Sequence, residues 1–129
     1  MDIGVWMSSD VLEHKLEARY DPNKETAWNV RSLPKGLGKP GEQDRLFVAS
    51  AEKWRGFFLL KKEALWAPED KAAPITLLFD AGSWTPVRTA PVRRFRGLRV
   101  LTQDQIEILN TKPNEIHMEG DTPFKKGSL

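Results

Sequence analysis

A chain of 129 residues, 40% apolar and 29% charged with a net charge of +2, is long enough to bury roughly two-thirds of its unfolded surface, which excludes disorder and a need for covalent staples. The absence of cysteine excludes disulfides, thiolate zinc sites and cysteine nucleophiles; His14 and His117 stand too far apart in the chain to suggest a metal site, and no cofactor is expected. No apolar run of about 18 residues and no signal-like segment is present, so a cytoplasmic chain without a membrane partner is expected.

Ile3, Val5 and Met7 alternate with Gly4 and Trp6, the period of a first strand over residues 3–7. Asp10 with Glu13 three residues on reads as a helix N-cap pair. Val11, Leu12, Leu16 and Tyr20 then recur at helical spacing until Asp21-Pro22 ends the pattern. Residues 21–44 hold Pro22, Pro34, Pro40, Gly36, Gly38 and Gly41, and read as a long loop interrupted at most by a strand at Ala27 to Arg31. Arg45 to Ser50 and Trp54 to Lys61 are two strands whose nearly continuous hydrophobicity predicts burial on both faces or in a closed barrel.

Ala64 to Trp66 reads as a short strand and Pro74 to Asp80 as another, after which Ala81-Gly82-Ser83 is expected to turn the chain. Pro86 and Pro91 cannot donate to a sheet ladder, so the segment after Trp84 is assigned to an edge or a loop, with a last strand at Arg94 to Leu101. Thr102 with Gln105 forms a second capping pair, opening a short helix through Ile106, Ile108 and Leu109. From Asn110 a polar tail without periodicity follows, which divides the chain into one domain at 1–109 and a tail at 110–129. Five or six strands with one N-terminal helix and one short C-terminal helix predict an α+β, mainly β, fold: a small pseudo-β-barrel.

Charge is unevenly placed. Between Asp80 and Asp104 stand Arg88, Arg93, Arg94, Arg96 and Arg99 with no acidic residue, leaving the rest of the chain at −3 against the total of +2. Such a cluster attracts phosphate through counterion release, and the planar guanidinium binds phosphate oxygens in pairs. The bland alternative is that these arginines solvate an edge or pair with distant carboxylates. The end of the cluster, Phe95-Arg96-Gly97-Leu98, echoes Trp54-Arg55-Gly56-Phe57; a bulge at Gly97 would reconcile the facing of its arginines, and the same holds at Arg55, where Gly56 is read instead as allowing close backbone approach. Five tryptophans offer flat faces for a base. Trp6, Trp54 and Trp66 lie in apolar strands and are assigned to the core, whereas Trp28 and Trp84 lie in proline-flanked contexts and are the accessible pair. Lys35 to Gly41 is glycine-rich and basic but lacks the Gly-Lys-Ser/Thr ending of a phosphate loop.

The run Lys24-Glu25-Thr26-Ala27-Trp28-Asn29-Val30-Arg31, a Pro/Gly loop, then Gly41-Glu42-Gln43-Asp44-Arg45-Leu46-Phe47-Val48 and the later Gly56-Phe57-Phe58 resemble the PUA-like superfamily, especially its ASCH and EVE branches, over residues 24–60. The resemblance implies a PUA-like pseudo-barrel that holds RNA or a modified nucleobase in a cleft between the first helix, the loop after it and the barrel strands. The expected partner is therefore RNA, DNA or a modified base, met by Trp28, Arg31, Trp84, Arg88, Arg93, Arg94 and Arg96 in one basic cleft. Two alternatives stand beside it. One is a small ASCH-type hydrolase or ribonuclease, in which Lys24 assists Thr26 while Glu25 or Glu63 moves the proton. The other is a protein-interaction domain with arginine and tryptophan anchors.

Overall fold

A computed structural model describes residues 1–21, 26–62 and 71–109 in full, together with the backbone of 63–66, 121–122 and 124–125. Its elements are β1 (Asp2–Trp6), α1 (Ser9–Glu17), β2 (Ala27–Val30), β3 (Arg45–Ser50), β4 (Lys53–Trp66), β5 (Ile75–Pro86), β6 (Arg99–Val100) and α2 (Gln103–Leu109). In the tail, β7 (Asp121–Thr122) and β8 (Phe124–Lys125) pair only with each other. The six main strands form one curled half-barrel sheet in the order β2-β5-β4-β3-β1-β6, a small α+β pseudo-barrel in which strands dominate. β1 runs parallel to β3, and β6 returns antiparallel to β1.

β3 buries both faces, as its apolar density predicts, whereas in β4 Trp54, Phe58 and Leu60 are buried, Phe57 and Leu59 are half-buried, and Arg55 and Lys61 are exposed. Leu46 and Val48 of β3 point into a first core with Ile3, Val5, Phe58 and Phe79, which α1 covers through Leu12. Phe47 and Ala49 point the other way, into a second core closed by Val87, Leu101 and the Ile106 and Leu109 side chains of α2. Strand alternation alone would put Trp54 on the face of Phe58 and Leu60. Pairing instead steps from Val48 with Gly56 to Ala49 with Trp54, leaving Arg55 as an extra residue. This bulge turns Trp54 into the second core, where it is 4% exposed.

Several elements differ from the sequence reading, each for a local reason. The N-cap of α1 is Ser8 rather than Asp10: its Oγ accepts from the Val11 N–H at 3.3 Å, and Asp10 then lies in the first turn. The helix ends at Glu17 because Ala18, Arg19 and Tyr20 donate to carbonyls three residues back, which leaves Tyr20 exposed. Ala64 to Trp66 is no separate strand but the end of β4. Ala81-Gly82-Ser83 does not end a strand either. It is an excursion within β5, bridged by the Ser83 hydroxyl, which accepts from the Leu59 N–H at 2.7 Å. The last strand shrinks to Arg99–Val100, since Pro91 makes one isolated bridge to Lys53 and Gly97 takes φ +71°. The second capping pair forms as expected, with Thr102 N donating to Gln105 Oε1 at 2.9 Å and Gln105 N to Thr102 Oγ1 at 3.3 Å.

Asp44 anchors the long loop. It is 4% exposed; Oδ1 accepts from the Met1 amino group at 2.9 Å, Oδ2 from the Gly38 N–H at 2.8 Å, and its carbonyl from the Leu60 N–H at 3.0 Å. At the other end of β3 the two-residue hairpin Ala51-Glu52 has φ of 52° and 62°, the left-handed pair normally served by Asn-Gly. Each side chain there costs about 1 kcal/mol relative to glycine or asparagine. Replacing the pair by Ala51→Asn with Glu52→Gly is expected to raise stability by about 2 kcal/mol, read as a higher urea midpoint with an unchanged slope.

Candidate nucleic-acid interface

The residues singled out by the sequence are divided between the two cores: Trp28 and Trp84 pack on the first, and the arginine segment packs on the second through Val87, Ala90, Val92 and Phe95 before its end, Leu98, returns to the first. The larger hollow, about 630 Å³, opens between α1 and the β2–β5 edge and is lined by His14, Lys15, Trp28, Asn29 and Thr76 among others. Its walls follow from the local sequence. Leu12 holds α1 against the first core, so Val11, His14 and Lys15 border the hollow on that side. β2 pairs only with β5, with Trp28 opposite Leu77 and Asn29 opposite Thr76, so this wall is a sheet edge. Trp28 is half-buried and rests on the first core through one part of its ring while another part lines the hollow. Thr76 Oγ1 donates to Asn29 Oδ1 at 2.8 Å, which fixes the carboxamide and leaves its amino group as a donor.

The arginine segment lies outside that hollow. Val87, Ala90, Val92 and Phe95 pack into the second core, and the backbone is tied to the start of β4. Trp54 N donates to Ala90 O at 2.9 Å, Val92 N to Glu52 O at 3.0 Å and Val87 N to Arg55 O at 3.2 Å. With the apolar side chains turned inward, Arg93, Arg94, Arg96 and Arg99 are left exposed and Arg88 is half-buried. The Arg94 guanidinium lies 4.6 Å from the centre of the Trp6 ring, and that of Arg99 lies 4.1 Å from Phe95. None of the five forms an ion pair or a side-chain hydrogen bond to another described residue, so they do not pair with distant carboxylates among those residues. Arg45 shows the contrast: its Nε and Nη2 donate to Asp2 at 2.7 and 3.0 Å.

Among the described residues, the hollow bordered by Trp28 holds none of the five arginines of the late segment, nor Arg31 or Trp84. Trp28 faces the first core and Arg94 covers the second, so the two do not share a hollow. Trp84 also turns inward; its ring lies 4.8 Å from Phe58, in space opened by Gly56. Arg31 sits away from Trp28's hollow, in a smaller one of about 180 Å³ with Gly97, Leu98 and Val100, where the chain beyond β2 meets the end of the arginine segment. Of the hydrolase candidates, Thr26 gives its carbonyl to the Phe79 N–H at 3.1 Å. Lys24, Glu25 and the Glu63 side chain lie outside the described residues. Sequence reasoning missed Lys15, Asn29 and Thr76 as lining of the larger hollow. Thr76 is reached only through the β2–β5 register and Lys15 only through the packing of α1, while Asn29 follows Trp28 on the same strand.

Among the described residues no helix is long and apolar enough to cross a membrane, and no three His, Cys, Asp or Glu side chains cluster in a metal-like group. No family model matches the chain, and no curated protein or solved structure shows significant similarity to it.

Proposed function

We propose that the protein is a cytoplasmic binding module for RNA, DNA or a modified nucleobase, and that the base enters the hollow between α1 and β2 against Trp28. One observation carries this reading: Trp28, Asn29, Thr76 and His14 border one hollow of about 630 Å³. That volume falls in the range of small-ligand sites, and an aromatic wall with a few hydrogen-bonding groups is how an unstacked base is held. The PUA-like resemblance of residues 24–60 supports the same location, because it implies a ligand between the first helix and the barrel strands.

Stacking on one aromatic ring is worth about 1–3 kcal/mol per base. Trp28→Ala is therefore expected to weaken binding of a short single strand by about 5- to 150-fold while the fold persists. Titrating the intrinsic tryptophan fluorescence with short RNA and DNA strands at low and high salt checks this. Quenching that Trp28→Ala removes supports the hollow; no response to any oligonucleotide at low salt overturns the reading in favour of a protein partner.

A further inference from the structure

We infer that Arg93, Arg94, Arg96 and Arg99 form a second contact surface, outside the Trp28 hollow, that takes the phosphate backbone of a nucleic acid. The inference rests on the reading above for the class of ligand, but not for the place where the ligand binds.

Three observations carry it. The first is the absence of internal partners: these four guanidinium groups give none of their N–H donors to a described residue, and none lies within ion-pair distance of a described carboxylate. An arginine kept for stability is normally paired, as Arg45 is with Asp2. The second is preorganisation. Arg94 is held over Trp6 and Arg99 over Phe95, with the guanidinium carbon 4.6 and 4.1 Å from the ring centre. A guanidinium already held against a ring loses less rotamer entropy when its N–H groups meet phosphate oxygens. The third is a stiff mount. Pro91 is bridged to Lys53, and Val92 and Phe95 are packed into the second core, with Phe95 lying 5.9 Å from Trp54. The segment thus displays its charges on a fixed backbone without being a sheet strand.

Phosphate suits this arrangement better than carboxylate does. Exposed single charges in water are worth little pairwise, whereas a polyanion that releases condensed counterions rewards each added cation. The four arginines span Arg93 to Arg99, a stretch along which successive phosphates of one strand are met in turn. Glu52, which shares a shallow hollow with Arg93, is the acidic side chain found beside the cluster, and it makes no ion pair with that arginine.

The test is fluorescence anisotropy with a labelled single strand of about 12 nucleotides, between about 50 and 200 mM salt. Four phosphate contacts predict a log–log salt slope near −3 and an affinity loss of about 50-fold over that interval. Arg93→Gln with Arg96→Gln, whose side chains touch no ring, is expected to make the slope shallower by about 1.4 and to weaken low-salt binding by about tenfold. Arg94→Lys with Arg99→Lys is expected to keep the slope but lose affinity, since the charge stays and the planar fork goes. An unchanged slope in the Arg93/Arg96 variant overturns the inference, as does competition by polyglutamate as strong as that by unlabelled strand. Quenching by a mononucleoside, which carries no phosphate, reports the Trp28 hollow alone. Failure there with a normal salt slope removes the hollow and leaves the arginine surface standing; the converse removes the arginine surface.

Discussion

Alanine at Gly56 is expected to destabilise the protein by about 3 kcal/mol, lowering Tm by roughly 10 °C, whereas alanine at Gly97 costs about 1 kcal/mol. The two glycines occupy the same place in the paired aromatic-Arg-Gly units, yet their surroundings differ. A Cβ on Gly56 would stand 2.5 Å from Trp84 Cζ2 and 2.6 Å from the Thr85 carbonyl oxygen. The indole is locked against Phe58 and the carbonyl is backbone, so neither can move aside cheaply. Gly97 has nothing within 4 Å of such a Cβ; its cost comes from φ +71° alone. Thermal unfolding of both variants checks the contrast. Equal losses would mean that Trp84 does not fill the space over Gly56.

Phe58→Ala should be larger still, at about 3–5 kcal/mol. Phe58 is fully buried, with ring centres at 4.4 Å to Phe79 and 4.8 Å to Trp84, so its removal empties the middle of the first core. Loss of that ring also unseats Trp84, and the indole emission is expected to shift to the red in the folded variant. Phe57→Ala, at a half-buried ring 5.1 Å from Phe47 and beneath the Arg45 guanidinium, is expected to cost clearly less. Urea denaturation ranks the two, and a reversed order would contradict the assignment of Phe58 to the centre of that core.

The mainly β architecture, the two helices and the double-sided burial of β3 were legible because each rests on local pattern: continuous apolar residues, helical spacing, the Thr102–Gln105 capping pair and prolines. What stayed hidden depends on which face a strand presents. Gly56 after Arg55 admits a bulge or a close backbone approach, and the sequence does not choose between them; the one extra residue moves Trp54 to the opposite core. Gly82-Ser83 reads as a turn by composition, and only the meeting of the Ser83 hydroxyl with the Leu59 N–H, 24 residues away, keeps the segment within β5. Trp84 looked accessible beside Pro86, but the vacancy that receives its ring is made by a glycine on another strand. The prolines correctly kept the start of the arginine segment out of a strand, but the strand expected at Arg94 to Leu101 shrinks to Arg99–Val100. Its separation from Trp28 could not be read, because side-chain parity is set independently in β1 and β2.

That separation changes the functional picture from one cleft to two surfaces: a hollow suited to a flat ligand, and a cationic surface suited to a backbone. Both readings share a ligand class, and each fails on its own evidence. A short ligand is expected to occupy one surface and a long one both.

Amide chemical-shift mapping of the folded protein during titration with a nucleoside and then with a short single strand tests the central claim most directly. The nucleoside is expected to shift signals confined to Val11–Lys15, Ala27–Val30 and Ile75–Leu77, and the strand to add Val92–Val100. Nucleoside-induced shifts that avoid the first three segments, or no shifts at all, would contradict a base-binding hollow at Trp28.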